Sequence, residues 1–213
     1  MKKKLYLILC LSMMAFLSGC KGYIDLESRN FVMGLGLDEE DGKLVVTYSF
    51  PDLGALTGNG QDLKYPVTAV VCESIEDGEK ILAEASNKVL DYGQLQTIVI
   101  GSELLSDKAM LDSVMEELKE QKAFSRNVGV CAASEDARSI IEMDETVNGS
   151  IGIYIRDMTE NNFKSLGLPI TTLGDLFVAR SQTSEMVNLN VLKKDNDIPI
   201  LNGLTEIDFG NTP

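Results

Sequence analysis

The 213-residue sequence contains no histidine and no tryptophan. Without histidine, Ser-His-Asp and Cys-His catalysis are excluded, and so are ordinary zinc and copper sites. No Walker A sequence is present, and Gly34-Leu35-Gly36 is no dinucleotide fingerprint, because the third glycine is replaced by Glu39 and a second strand follows. A hydrolase using paired carboxylates stays open, since 33 acidic residues place some pairs close together. We expect no enzyme, no cofactor and no metal site.

Basic residues are also scarce. The chain has 19 Lys and Arg against 33 Asp and Glu, a net charge of −14. Binding to nucleic acid, or electrostatic attraction to anionic lipid, requires clustered Lys and Arg, so neither is expected. We interpret the acidity as a solvated surface. The run Asp38-Glu39-Glu40-Asp41 is interpreted as a charged hairpin tip, because it lacks the ligand alternation of a calcium loop.

Cysteines number only four. Cys10 and Cys20 lie in the first twenty residues, whereas Cys72 and Cys131 lie in apolar runs typical of strands. Free cysteine is among the most buried residue types. A disulfide between Cys72 and Cys131 would require neighbouring strands with suitable geometry, so the sequence leaves open whether they are free or bonded.

The longest apolar run is at the N-terminus. Three lysines at 2–4 precede an apolar run at 5–17, too short to cross a bilayer, which requires about 20 residues in a helix. Charged, apolar and small-residue zones in this order are typical of a secretory signal peptide. Its end, Leu17-Ser18-Gly19-Cys20, resembles the lipobox of bacterial lipoproteins, whose cysteine sulfur carries diacylglycerol. We expect a signal peptide at 1–19 and a palmitate-containing lipid on Cys20 that holds the chain at the extracytoplasmic face of the membrane; an ordinary cleaved signal peptide and a retained anchor are the alternatives.

Alternating strand and helix patterns follow the signal peptide. Between 65 and 142 they predict an α/β or α+β fold, with a mixed β-sheet and crossover helices. Asp41-Gly42 predicts a leading antiparallel hairpin. Strands are expected at 31–38, 43–50, 65–73, 95–101, 127–133, 185–193 and 198–209. Helices are expected at 108–121, 134–142, 148–162 and 173–181. A further helix is expected to begin at Ser74 and to bury a stripe of Ile81, Leu82, Ala85 and Val89.

Helix caps and domain limits are also predicted. Ser106 or Asp107 is expected to cap the helix at 108–121, and Ser134 is expected to cap the helix at 134–142. One α/β domain is expected at 20–185, and 186–213 is interpreted as the truncated start of a following β segment or domain.

Taken in order, several stretches resemble the N-terminal portion of the Ger(x)C family, the lipoprotein C subunits of spore germinant receptors. The most specific is LDYGQLQTIVIGSE, at 90–103. Two departures are Gln94, where members usually have histidine after Tyr-Gly, and the lack of a further C-terminal α/β domain. The other similar stretches are Gly19-Cys20, YIDLE at 23–27, the hairpin at 31–51, 124–142, Leu168-Pro169 and LNGL at 201–204.

The resemblance implies a non-enzymatic receptor subunit, anchored through Cys20 on the outer face of the spore inner membrane. It implies a complex with an integral-membrane A subunit and a polytopic B subunit that converts nutrient binding into germination. No germinant-binding residue is indicated, and Cys20 is the one site residue. The alternative from a different class is a lipid-anchored extracytoplasmic protein that captures a small ligand for a transporter.

Overall fold

A computed structural model describes residues 28–51, 67–86, 88–145, 147, 150–182 and 186–209. The predicted signal peptide and Cys20 therefore lie outside the described residues. The strands are β1 (Arg29–Phe31), β2 (Gly34–Glu40), β3 (Lys43–Ser49), β4 (Thr68–Cys72), β5 (Val89–Asp91), β6 (Thr97–Ile100), β7 (Gly129–Ala133), β8 (Met186–Asp195) and β9 (Ile198–Asp208). The helices are α1 (Ile75–Ala85), α2 (Ser102–Ser106), α3 (Lys108–Glu120), α4 (Ala137–Ile141), α5 (Ile151–Leu166) and α6 (Leu173–Ser181), with a 3-10 turn at Glu142–Glu145 after α4.

Seven of the described strands form one mixed sheet, in the order β4-β3-β2-β6-β7-β8-β9. Neighbours in the central group β2, β6, β7 and β8 pair in parallel, whereas β3, β4 and β9 each pair antiparallel with their neighbours. The β2–β3 hairpin turns at Asp41 and Gly42, whose φ angles are both positive. The predicted mixed α/β architecture and its leading antiparallel hairpin are confirmed.

Helices cover both faces of this sheet. On one face, α1, α3 and α6 pack against alternate residues of the strands, among them Leu35 and Ile98. On the other face, α4 and α5 pack against Val99 and Cys131. All four residues of β6 are buried, which confirms the strand that the apolar run at 95–101 predicted to be covered on both sides.

The helix that begins after Ser74 is shorter than predicted. Ser74 caps it as expected, accepting the Asp77 amide at 3.0 Å, but α1 ends at Ala85 because Ser86 is extended. Val89, predicted to lie in the buried helical stripe, is in β5 and 54% exposed, and Ile81 is 41% exposed. Ala85 is exposed as well, so the stripe prediction was wrong for three of its four residues and held only for Leu82. Val89 instead belongs to β5, which pairs in parallel with β1.

The predicted cap of the helix after β7 was wrong by two residues. The Ser134 amide donates to the Leu192 carbonyl at 2.8 Å, so Ser134 continues the pairing of β7 with β8. Asp136 caps α4 instead, accepting the Ser139 amide at 2.6 Å. Of the two residues predicted as caps of α3, Ser106 and Asp107, the structure shows Asp107 as the cap.

The last two described strands belong to the same sheet as the rest. β8 pairs in parallel with β7 through Cys131–Ala133, and β9 pairs with β8 around the turn at Asn196. The described residues beyond 185 thus extend the sheet at its edge. The helix predicted at 148–162 is observed as α5, which begins after its cap Ser150.

Candidate functional site

Cys20, the one site residue predicted from the sequence, lies outside the described residues. The described chain begins at Ser28, eight residues after it, and enters β1 at once. β1 does not join the seven-stranded sheet; it pairs in parallel with β5 in a separate two-stranded sheet. We call β1 together with the segment 89–93 the N-terminal corner. The corner contains the first strand that the structure describes after Cys20 in the sequence.

An ion pair holds the N-terminal corner together. Arg29 Nη1 donates to Asp91 Oδ2 at 2.5 Å, and the side chains are 34% and 19% exposed. The other Asp91 oxygen accepts the Gly93 amide at 2.8 Å, and the Asp91 carbonyl accepts the Val32 amide at 2.9 Å. The Arg29 guanidinium and the Gly93 amide hold the pKa of Asp91 below its ordinary value. Asp91 therefore fixes both its own turn and the incoming strand.

The next side chain, Tyr92, fixes the β5 side of the corner to the core. Tyr92 is 5% exposed, and its ring centroid lies 4.6 Å from that of Phe124. Burial raises the pKa of the Tyr92 hydroxyl, and the neighbouring Tyr48 and Glu79 raise it further. The phenol thus stays protonated, and its ring packs in the core next to Asp91 in the sequence.

A second candidate site is the carboxyl edge of the parallel strands, where open α/β sheets bind ligands. At this edge, the interpretation of the run Asp38–Asp41 as a solvated hairpin tip was wrong for Asp38. Asp38 is only 7% exposed, since it alternates with Gly34 and Gly36 and shares their face. Its carboxylate accepts the Ala137 amide at 2.6 Å and the Arg138 amide at 2.9 Å. Only Glu40 and Asp41 are exposed at the tip, and Glu39 is half-buried.

Asp38 fills the position that an anionic ligand would take at the first turn of α4. Burial raises the pKa of this carboxyl, and the two backbone amides oppose that shift. Gly101 lies directly against it: a Cβ at 101 would overlap Asp38 Oδ1 and lie 3.1 Å from its Cγ. These α4 amides are therefore already bonded within the protein.

Beside this carboxylate, the same edge carries a shallow cleft. Its lining mixes Lys193 and Lys194 with Glu135 and Asp136, so no single sign of charge prevails. Among the described residues, no group of three or more His, Cys, Asp or Glu side chains is arranged to hold a metal ion. None of the helices in the described ranges is long and apolar enough to cross a membrane. The edge offers no ligand chemistry that singles out a substrate.

Cys72 and Cys131 are both free and buried, which answers the question that the sequence left open. They lie in β4 and β7, on opposite faces of the sheet. Three strands separate β4 from β7, which corresponds to about 19 Å at the usual strand spacing. A disulfide requires Cα atoms within about 7 Å, so these residues cannot pair in this fold.

We predict that neither thiol reacts in the folded protein. Burial raises the pKa of Cys72 to about 11 and that of Cys131 to about 12, and both are at most 3% exposed. Because the thiolate is the reactive form, a thiol reagent at pH 8 should label neither Cys72 nor Cys131 in the native mature protein. In denaturant it should label two if Cys20 is acylated and three if Cys20 is free. Rapid labelling of the native protein would contradict the burial of these strands.

The sequence missed Arg29, Asp38 and Asp91 as site residues. Asp91 lies in the stretch LDYGQ that carries the family resemblance, but nothing local pairs it with Arg29, 62 positions earlier. For Asp38, one signal was available: strict alternation along β2 places it on the same face as Gly34 and Gly36.

Comparison with known families gives one match. The family model described as "Spore germination protein N-terminal domain" matches residues 22–193, most of the chain and nearly all of the described fold. It covers the N-terminal corner, Asp38 and α1 to α6, and it ends within β8. No curated protein matches the chain, and no solved structure does.

Proposed function

Because the chain belongs to the spore germination protein N-terminal domain family, we propose that it is a non-enzymatic, lipid-anchored subunit of a spore germinant receptor. The family match carries this proposal, since the family is described by spore germination and its model covers residues 22–193. In the proposed role, diacylglycerol on Cys20 holds the body at the outer face of the spore inner membrane. There the body assembles with integral-membrane A and B subunits and takes part in the response to nutrients.

Three observations support the finer parts of the proposal. The first twenty residues have the order of a lipoprotein signal peptide and end in Leu-Ser-Gly-Cys. The first strand that the structure describes, β1, begins nine residues after Cys20 in the sequence and is held by an ion pair. At the carboxyl edge, the chain's own Asp38 occupies the backbone amides, which favours assembly through protein surfaces over capture of a small anion.

Replacing Cys20 by alanine tests the anchoring. C20A protein should carry no acyl chains in mass spectra of its N-terminus and should leave the membrane fraction of spores, because the thioether bond can no longer form. Spores that carry it should lose response to the nutrient that this receptor serves. C10A is the matched control: its cysteine lies within the apolar run and leaves with the signal peptide, so acylation and germination should be unchanged. Acylated C20A protein, or wild-type protein whose Cys20 carries no acyl chain, would refute the proposed anchor.

Assembly is tested separately from anchoring. An affinity-tagged chain purified from detergent-solubilised spore membranes should bring down multi-span partners in fixed proportion. Recovery of none would refute the receptor assignment. The alternative, a carrier of a small ligand, predicts a different result: a ligand at 100 times its dissociation constant would add about 2.7 kcal/mol to the free energy of unfolding. A thermal-shift screen with amino acids and sugars therefore separates the two functions.

A further inference from the structure

We propose that β1 is a releasable joint, closed by the Arg29–Asp91 ion pair. It lies between the folded body and the residues that link the body to Cys20, which we call the tether. In the closed state, residues 29–31 lie along β5; in the open state, they detach while the rest of the fold stays intact. The consequence for the tether rests on the proposed anchoring at Cys20, but the joint itself does not.

The pairing that holds β1 is small compared with the rest of the fold. Only three residues of β1 pair with β5, and neither strand joins the seven-stranded sheet. All three β1 residues are only partly buried. Short pairs with few buried contacts lie at the low end of the range of local opening free energies. β1 can therefore open without breaking the main sheet.

The two sides of the joint differ in how firmly they are held. On the β5 side, Tyr92 is 5% exposed and its ring packs on Phe124, so the acceptor loop stays in place when β1 leaves. On the β1 side, opening is limited by Val32, which is fully buried, and by Met33, whose amide bonds to the Ser49 carbonyl at 2.9 Å. The releasable segment thus ends at Phe31.

The ion pair is the side-chain bond that closes the joint. Arg29 bonds to Asp91 with a distance of 2.5 Å, and both side chains are partly shielded from water. The same carboxylate accepts the Gly93 amide through its other oxygen, so the acceptor is already oriented before Arg29 binds. A preorganised, charge-assisted bond of this kind is stronger than an ordinary surface pair.

Opening the joint would lengthen the tether. An extended chain spans at most about 3.4 Å per residue, so Arg29 lies no more than about 31 Å from an anchored Cys20. Release of residues 29–31 adds at most about 10 Å to the greatest distance that the body can stand from the bilayer. The joint would thereby allow two different maximum heights for the surfaces that meet the membrane subunits.

Hydrogen exchange on the full mature chain in detergent tests the joint. D91N keeps an oxygen for the Gly93 amide but loses the charge, and R29Q removes the partner. Each should speed amide exchange in the peptide covering 29–31 about tenfold and leave residues 97–100 of β6 unchanged. The double variant should be no faster than either single one, because both remove the same bond. E142Q is the matched control, since it removes the charge from the exposed Arg138–Glu142 pair, which takes no part in the pairing of β1 with β5, and it should change neither peptide.

Two results would overturn the joint. Unchanged exchange at 29–31 in D91N would mean that the ion pair does not close it. An equal rise at 97–100 would mean that β1 opens only when the whole fold opens. Neither result bears on the anchor, which is read independently from the mass of the Cys20 residue in the same preparation.

Discussion

Gly152→Ala is expected to destabilise the protein by about 3 kcal/mol, although alanine normally favours a helix over glycine by about 1 kcal/mol. Gly152 is the second residue of α5 and lies against the backbone of the segment that leads into β2. A Cβ at 152 would overlap the Met33 carbonyl oxygen and lie 2.6 Å from its carbon. Backbone atoms cannot rotate away as a side chain does, so α5 must lift off the sheet.

Lifting α5 would expose apolar side chains and break a buried bond. Ile151 and Ile155 are both 0% exposed beneath the helix. The Gly152 carbonyl accepts the Thr97 hydroxyl at 2.9 Å, which ties the same turn of α5 to β6. A loss of this size should lower the unfolding midpoint by about 10 °C in a chain of this length, measured by thermal or urea unfolding.

Gly34→Ala is the matched control, because Gly34 faces the same contact from the strand. A Cβ at 34 would lie 3.4 Å from an Ile151 side-chain atom and 3.5 Å from Gly152, which are ordinary van der Waals distances. G34A should therefore change stability by less than about 1 kcal/mol. If G152A were as mild as G34A, the close approach of α5 to β2 would be refuted.

Local patterns predicted the elements of the fold well wherever one dominant signal was present. The Asp41-Gly42 turn, the doubly covered β6 and the Asp107 cap of α3 each depend on residues adjacent in sequence. The same kind of signal was ambiguous for α4, since Ser134 and Asp136 are both good caps. Only the approach of β8, whose Leu192 carbonyl takes the Ser134 amide, decides between them.

The site residues were less predictable because their partners are distant in sequence. Arg29 and Asp91 are 62 positions apart, and Asp38 is 99 positions from the Ala137 amide that it accepts. Runs of charged residues such as 38–41 usually indicate a solvent-exposed segment, and composition alone cannot show that one residue of the run points into the core. The free state of Cys72 and Cys131 likewise depended on strand order, which no local pattern supplies.

The inward position of Asp38 is what connects three parts of the carboxyl edge. Its carboxylate joins the end of β2 to the first turn of α4, and the absence of a side chain at Gly101 gives it room beside the end of β6. Ala137, whose amide it receives, is 0% exposed. With Asp38 removed, that amide would be left without a partner in the protein's interior, at a cost of about 1–3 kcal/mol for each unsatisfied group.

Asp38→Ala is therefore expected to lower the free energy of unfolding by about 2–4 kcal/mol, measured by urea unfolding at neutral pH. D38N should lose less stability than D38A but should still be less stable than the unchanged protein. The amide side chain retains one acceptor oxygen but turns a donor toward the second backbone N–H. D136A provides the comparison within the same helix: Asp136 is an exposed cap that accepts one amide, and its loss should cost only about 1 kcal/mol. Removing a buried carboxylate that accepts hydrogen bonds from two backbone amides must lower the free energy of unfolding more than removing an exposed cap that accepts one. Equal losses in D38A and D136A would mean that Asp38 behaves as the solvated hairpin residue that its charged neighbours suggest.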